Sequence, residues 1–261
     1  MWWLIFIVFG ALTFAHFAPL PFVLDWMARD VSMWRVPRSA AGQKFSSAVP
    51  DSAEGRTEVR PYSPTVYLTF DDGPNPAATP ALLDVLARER VRATFFVIDR
   101  HLTPETAPIV ARMFDEGHGV ALHSHTRQLM VQSARQLART LDDAAARMEA
   151  LTGRRPCAAF RPHGGGRSVS MIRGLRQSGR RLVGWGLFLW DWDWFRRPSA
   201  ERLVPRISRR AGDGSIIVLH DGHHENPRAD RRRTIETVEK LVPALRARGF
   251  EFGSICDVVG R

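Results

Sequence analysis

Two adjacent carboxylates, Asp71 and Asp72, follow the run Val66, Tyr67, Leu68, Thr69, Phe70, and Gly73-Pro74 turns the chain directly after them. Carboxylates and imidazoles are the side chains that hold metal ions and move protons near neutral pH. An apolar, β-prone run that stops at paired acids sets them at the mouth of a sheet, where α/β enzymes keep their chemistry. Asp, Gly and Pro also favour turns for their own reasons, so this stretch alone does not decide. Further reactive types end other apolar runs. His123 follows Val120, Ala121 and Leu122; Arg161 follows Phe160; Asp191 and Trp192 follow a run rich in aromatics; His220 and Asp221 follow Ile216, Ile217, Val218 and Leu219. If these runs are parallel strands, their ends converge on one pocket.

The elements that must do the positioning alternate from residue 65 onward. The pattern predicts strands at 66–70, 93–98, 120–124, 157–161, 182–188, 215–219 and 250–255. Between them lie helical stripes. Leu82, Leu83 and Leu86 follow Thr79-Pro80; Ile109, Val110 and Met113 follow Thr103-Pro104 and stop at Gly117. Leu137, Leu141, Met148 and Leu151 follow Ser133 and stop near Gly153. Such alternation argues a parallel sheet with crossover helices, and leaves open a doubly wound sheet or a barrel.

Ahead of this, residues 1–24 carry no charged side chain, His16 being the one ionisable group. As a helix this segment would span roughly 36 Å at 1.5 Å per residue, enough to cross a bilayer. Trp2, Trp3 and Trp26 suit its interfaces, while Pro19 and Pro21 would end the helix early. No basic stretch opens it as in a cleaved signal, so it reads first as an uncleaved membrane anchor, with a signal-like segment as the alternative. Arg29, Arg35, Arg38 and Lys44 follow it and by the positive-inside rule oppose an extracytoplasmic domain. Residues 25–63, polar, small and proline-containing without a sustained period, read as a linker, and 64–261 as one domain.

The chain has 261 residues and a formal net charge of +10. A basic surface favours anionic partners. The arginines are scattered over several predicted helices and no nucleic-acid motif appears, so nucleic acid is not expected as a partner. The two cysteines, Cys157 and Cys256, sit in apolar runs without metal-binding spacing and read as buried free thiols.

In order, the reactive strand ends resemble the five motifs of the polysaccharide deacetylases, the NodB-like carbohydrate esterases, over about residues 65–261. Thr69-Phe70-Asp71-Asp72-Gly73-Pro74 matches the first motif in full, Leu219-His220 the fifth, and Asp191-Trp192 the fourth. The resemblance implies a distorted, incomplete (β/α) barrel of about seven parallel strands behind an N-terminal apolar helix. It implies a hydrolase that removes the N-acetyl group from an amino sugar, in a polysaccharide or a lipid-linked glycan, with a divalent metal, zinc first among the candidates. Asp71 would be the base, Asp72 and His123 metal ligands, His220 the acid, Arg161 the partner of Asp71, and Asp191 the residue that orients His220.

Two motifs depart from the family pattern. The third usually runs Arg, one or two prolines, an aromatic and Gly; here Arg161-Pro162 is followed by His163 and glycines at 164, 165 and 166. The second usually carries two imidazoles four residues apart; here it reads His123-Ser124-His125-Thr126-Arg127. A guanidinium is permanently cationic and cannot coordinate a metal. The third ligand is left open between His125 and His163, with His223 and His224 in reserve. Arg127, His163 and Trp192 are the candidate substrate contacts. In residues 184–195 four tryptophans and two phenylalanines surround Asp191, suited to stacking on sugar rings or to a membrane interface. The alternatives are a deformylase or deacetylase of a small lipid-carried sugar, and a non-catalytic carbohydrate-binding relic. Against the relic, a binding module has no need of Asp71 and His220 together.

Overall fold

The structure is a computed structural model that describes residues 23–38, 63–188, 191 and 198–260. Its elements are α1 (Val23–Met27), β1 (Ser32–Met33), β2 (Thr65–Asp71), α2 (Thr79–Arg88), β3 (Thr94–Ile98), α3 (Ala107–Asp115), β4 (Gly119–His123) and α4 (Ala134–Thr152). There follow β5 (Ala159–Arg161), α5 (Val169–Gln177), β6 (Arg181–Val183), β7 (Leu187–Phe188), α6 (Ala200–Arg210), β8 (Ile216–His220), α7 (Arg232–Arg246), β9 (Glu251–Phe252) and α8 (Ile255–Val259).

The strand order is β1-β6-β5-β4-β3-β2-β8-β7, with β9 added on β2. Every pairing is parallel. The result is the expected distorted, incomplete (β/α) barrel. β2 lies inside the sheet between β3 and β8 with all seven residues buried, as a strand covered on both faces requires. Phe70 of β2 stacks on Phe95 of β3 at 5.1 Å between ring centres. Helices follow most strands, as crossover connections between parallel neighbours demand. α4 begins on a capping box in which Ser133 and Gln136 satisfy each other's backbone, and ends on left-handed Gly153.

Register carries the functional consequence. Asp71 pairs with His220, Ile98 with His123, and His123 with Arg161. Asp71 and His220 therefore stand level, as do His123 and Arg161 two residues further along, since Asp71 pairs with Phe96 and His123 with Ile98, and both pairs lie at the same end of the sheet.

Four differences from the sequence reading have physical causes. The run at 182–188 is two strands, since β6 pairs with β1 and β5 while β7 pairs with β8 on the other side of the gap. Gly184 and Gly186 sit between them, where a Cβ would strike Trp34 at 2.4 Å and its carbonyl oxygen at 2.9 Å. The run at 250–255 is strand only at β9, and Cys256 lies in α8.

Cys157 and Cys256 are not free thiols but a disulfide, 99 residues apart in sequence with Cα atoms 5.5 Å apart. Sequence spacing cannot reveal that the two apolar runs meet.

Residues 25–36, read as the start of a linker, are part of the barrel. β1 pairs Ser32 with Leu182 and Met33 with Val183. Val36 N–H donates to Gly214 O at 2.9 Å, so the segment reaches from β6 to the turn before β8. Ala28, Val31, Met33 and Val36 are buried. A helix that gives way to a strand within a few residues leaves no period to read. Apart from its last residues the apolar segment 1–24 lies outside the described residues, as does 39–62; among the described residues no helix is long and apolar enough to cross a membrane.

Candidate active site

Strand β2 runs straight into Asp71, whose side chain is buried. Arg161, fully buried at the end of β5, donates from Nη1 to Asp71 Oδ1 at 2.6 Å. Its other N–H groups reach Thr69 Oγ1 (3.0 Å), Val183 O (3.1 Å) and Gly184 O (3.3 Å). The guanidinium lies 3.9 Å from the Phe96 ring centre. A planar fork held at this many points cannot swing away, so Asp71 keeps its counter-charge.

Asp72 turns the chain at φ 71°, a left-handed conformation that costs a non-glycine residue energy and is tolerated where the surroundings impose it. The surroundings are the β8 loop: a Cβ on Gly222 would lie 1.9 Å from Asp72 O. His101 donates from Nδ1 to the same carbonyl at 3.1 Å. The Asp72 side chain is thereby aimed into the pocket, and its Oδ1 is buried with no hydrogen-bond partner.

His123 Nδ1 donates to Arg161 O at 2.7 Å, which leaves the lone pair on Nε2, 3.3 Å from Asp72 Oδ1. A carbonyl behind the ring is the usual outer support of a metal-ligating histidine. His163 begins the 3₁₀ turn His163–Gly165, and its N–H donates to Ser124 Oγ at 2.8 Å. Asp72, His123 and His163 each offer one ligand atom, all within 4.8 Å of one another. Burial, with the neighbouring His123 adding to it, pushes the His163 pKa down to about 3. His163 is thus a neutral donor at physiological pH. For Asp72, burial opposes ionisation, but the adjacent His123, with His220 and His163, holds its carboxyl well below the usual range.

His125 does not join this group. The chain after His123 is a bend rather than a helix, and Thr126, extended at φ −145°, caps the 3₁₀ turn Arg127–Val131. His125 instead feels Arg100 and Asp99, and partial burial with the Arg100 charge lowers its pKa. Arg127 lines the pocket and lies over Gly164, where a Cβ would come within 2.7 Å of its Nη2. The His224 ring lies tilted against His163, 4.6 Å between ring centres, and His223 stacks on His224 at 4.5 Å.

On the opposite wall, His220 Nδ1 donates to Asp191 Oδ1 at 2.7 Å and the His220 backbone N–H donates to Asp191 Oδ2 at 2.8 Å. Burial disfavours the imidazolium, yet the charge and hydrogen bond of Asp191, aided by Asp72 and Asp71, outweigh it and raise the His220 pKa. Asp221 is fully buried beneath the rim, accepts the Thr79 hydroxyl, and is pushed up to about 7 by burial.

These groups line one cavity of about 560 Å³. It brings together Asp71, Asp72, His123, Arg127, His163, Asp191 and His220; Arg161 supports it from behind, and Trp192 lies outside the described residues. Sequence reasoning missed Thr234, whose hydroxyl donates to Asp191 Oδ2 at 3.5 Å, and the cavity-lining Arg231 and Arg233; Trp185, one of the four tryptophans read as suited to sugar stacking, also lines the cavity. Thr234, Arg231 and Arg233 come from the start of α7 and the loop before it, where no strand end marks them. Trp185 belongs to the aromatic run, where core and rim positions look alike.

Residues 58–183 match the polysaccharide deacetylase family. The chain is 35% identical over 199 residues to a chitooligosaccharide deacetylase of Sinorhizobium fredii, covering 74% of this chain and 91% of that protein. It is 30% identical over 196 residues to a peptidoglycan-N-acetylmuramic acid deacetylase of Bacillus subtilis, covering 75% and 71%. A solved family 4 acetyl xylan esterase of Clostridium thermocellum, in complex with a cobalt ion, matches at 30% identity with a TM-score of 0.63, covering 74% of this chain and 89% of that one. The completed first and fifth motifs, the parallel incomplete barrel and these likenesses agree: the chain belongs to the polysaccharide deacetylase family, the NodB-like carbohydrate esterases.

Proposed function

We propose that the protein is a hydrolase that removes the N-acetyl group from an amino sugar of a glycan, using a divalent metal held by Asp72, His123 and His163. The observation that carries this is the meeting of three ligand atoms beside a buried acid and a buried imidazole on the same rim. The residues fit a cation. Asp72 Oδ1 is buried and lacks a partner, and it faces the lone pair of His123 Nε2. Two electron-rich atoms oriented so are stable when a positive charge lies between them. Three protein ligands of nitrogen and oxygen suit zinc in a catalytic site. When bound, the metal supplies a Lewis acid for the acetyl carbonyl.

The chain's own residues supply the rest. Asp71, paired with Arg161, takes a proton from the attacking water. His220, kept protonated by Asp191, gives a proton to the departing sugar amine. Arg127, exposed at the pocket edge, is placed to contact the glycan, and Trp192 is a further candidate for stacking on it.

The relatives named for chitooligosaccharide and peptidoglycan point to a cell-envelope or extracellular glycan and an extracytoplasmic domain. The Cys157–Cys256 disulfide supports that compartment, since such bonds persist in oxidising surroundings. The charge-free segment 1–24 is then the tether to the membrane.

The test is acetate release from N-acetylated glycan by metal-loaded protein, compared with Asp71→Asn. That variant keeps shape and metal but removes the proton acceptor, and the rate should fall by at least ~100-fold. Unchanged acetate release would end the assignment of Asp71.

A further inference from the structure

His163 rides on a glycine loop whose own side chains do little to hold it. The three residues after it are glycines, two of them left-handed, Gly164 at φ 59° and Gly165 at φ 70°. Such a stretch has more conformational freedom to lose than any other sequence and no side chains with which to lose it. The next residue, Arg167, is completely buried. Its Nη1 donates to Gly165 O at 2.9 Å, gripping the loop by its backbone. Its Nε reaches both oxygens of Asp25, at 3.0 and 2.8 Å, and its Nη2 lies 2.6 Å from Asp25 Oδ2. The guanidinium sits 4.8 Å from the Trp34 ring centre.

Asp25 and Trp34 both belong to the segment that precedes the barrel proper. That segment is fixed independently of Arg167. Ala28 and Val31 join the core, Ser32 Oγ donates to Asp25 O and Ala28 O, and β1 pairs with β6. A buried charge must be paired, and here the pairing joins a rigid segment to a glycine loop.

We propose that Asp25 and Arg167 are positioning residues for His163: the buried pair fixes the loop so that this imidazole points at Asp72 and His123. The proposal rests on the reading of His163 as a metal ligand. It also makes the residues just after the apolar N-terminal segment a working part of the site. The pair touches neither substrate nor metal; it acts through Gly165 and the loop backbone.

The experiment titrates the full chain with zinc against a competing chelator, and with cobalt(II) by its visible spectrum. Asp25→Asn keeps the shape and removes the charge. Outer supports of metal ligands are worth ~10–100-fold in affinity, so zinc should bind at least ~10-fold more weakly and the cobalt spectrum should change. Val31→Ala is the control: it loosens the same segment without touching Arg167, and should leave zinc affinity and the cobalt spectrum as in the parent, whatever melting temperature it loses. If Asp25→Asn binds both metals like the parent, or if both variants weaken binding in proportion to their loss of melting temperature, the pair is only structural and the proposal fails. Should Asp25→Asn not fold, the apolar pair Asp25→Leu/Arg167→Met restores packing but not the grip on Gly165. Parent-like affinity in that folded variant overturns the proposal; weakened affinity supports it. His163→Ala separates the two levels. If it leaves zinc affinity unchanged, the ligand reading itself is lost and the positioning role with it. If it weakens binding while Asp25→Asn does not, only the positioning role is lost.

Discussion

His163→Ala is the sharpest single test of the site. The three candidate ligand atoms lie within 4.8 Å of one another, so on the proposed reading His163 is one of three protein ligands. Outer supports of a ligand already cost ~10–100-fold in affinity when removed. A ligand itself should cost at least ~100-fold, about 2.8 kcal/mol at 1.4 kcal/mol per tenfold. No compensating gain offsets this at neutral pH. Because burial and His123 push the His163 pKa down to about 3, the imidazole is already neutral and no proton must leave it when metal binds. The assay is equilibrium zinc titration against a chromophoric chelator, with a thermal melt to confirm the fold. The reasoning is refuted if the dissociation constant stays within threefold of the parent. A second arm places an imidazole at the neighbouring position. Arg127→His in the His163→Ala background should recover part of the lost affinity, since residue 127 lines the same cavity as Asp72 and His123. Failure of that recovery, with the single loss intact, would mean that the 3₁₀ turn starting at residue 127 aims its side chain past the metal position.

Asp191→Asn tests the acid. Asp191 raises the His220 pKa against the opposing effect of burial, so the parent keeps its imidazolium to higher pH than an unperturbed histidine would. Without that charge the pKa falls, and the alkaline limb of kcat/KM should move to lower pH; a limb that stays in place refutes the assignment. The double change Cys157→Ala/Cys256→Ala opens a loop of 99 residues, worth about 4.7 kcal/mol by loop entropy. At roughly 2–4 °C per kcal/mol for a domain of this size the melting temperature should drop by about 10–20 °C. Activity well below that temperature should persist, because the bond joins residues remote from the rim; an unchanged melt would refute the stabilising role.

The rim was legible because a parallel sheet puts chemistry where strands stop, and strand ends can be seen in a sequence as the last residue of an apolar run. Asp71, His123, Arg161 and His220 are all found in that way. Their mutual order was not legible, since it depends on register: Asp71 opposite His220 and His123 opposite Arg161 are facts about neighbours in space. The same limit hid the disulfide, whose halves are 99 residues apart, and the role of residues 25–36, where too few residues share one geometry to show a period. Thr234 was hidden because it reaches Asp191 from the first turn of a helix, a position with no apolar run behind it.

The two departures from the family pattern show the limit from the other side. Along the chain, Arg127 in place of an imidazole is a defect in one motif, and His163 with its glycines is an oddity in another, 36 positions away by subtraction of their numbers. In space they touch. The Arg127 guanidinium occupies room that any side chain at residue 164 would fill, and the imidazole one residue earlier faces Asp72 and His123. The two changes fit together: a side chain at residue 164 would have to displace the Arg127 guanidinium, and a metal site without His163 has two protein ligands where three are usual. On the proposed reading the pair of changes moves one ligand from the β4 loop to the β5 loop and leaves a fixed cation where the ligand would have been. On the same reading that exposed cation, which lines the cavity with Asp71, would also favour anionic groups on the glycan, so one exchange would keep the ligand count and alter which substrates the rim attracts.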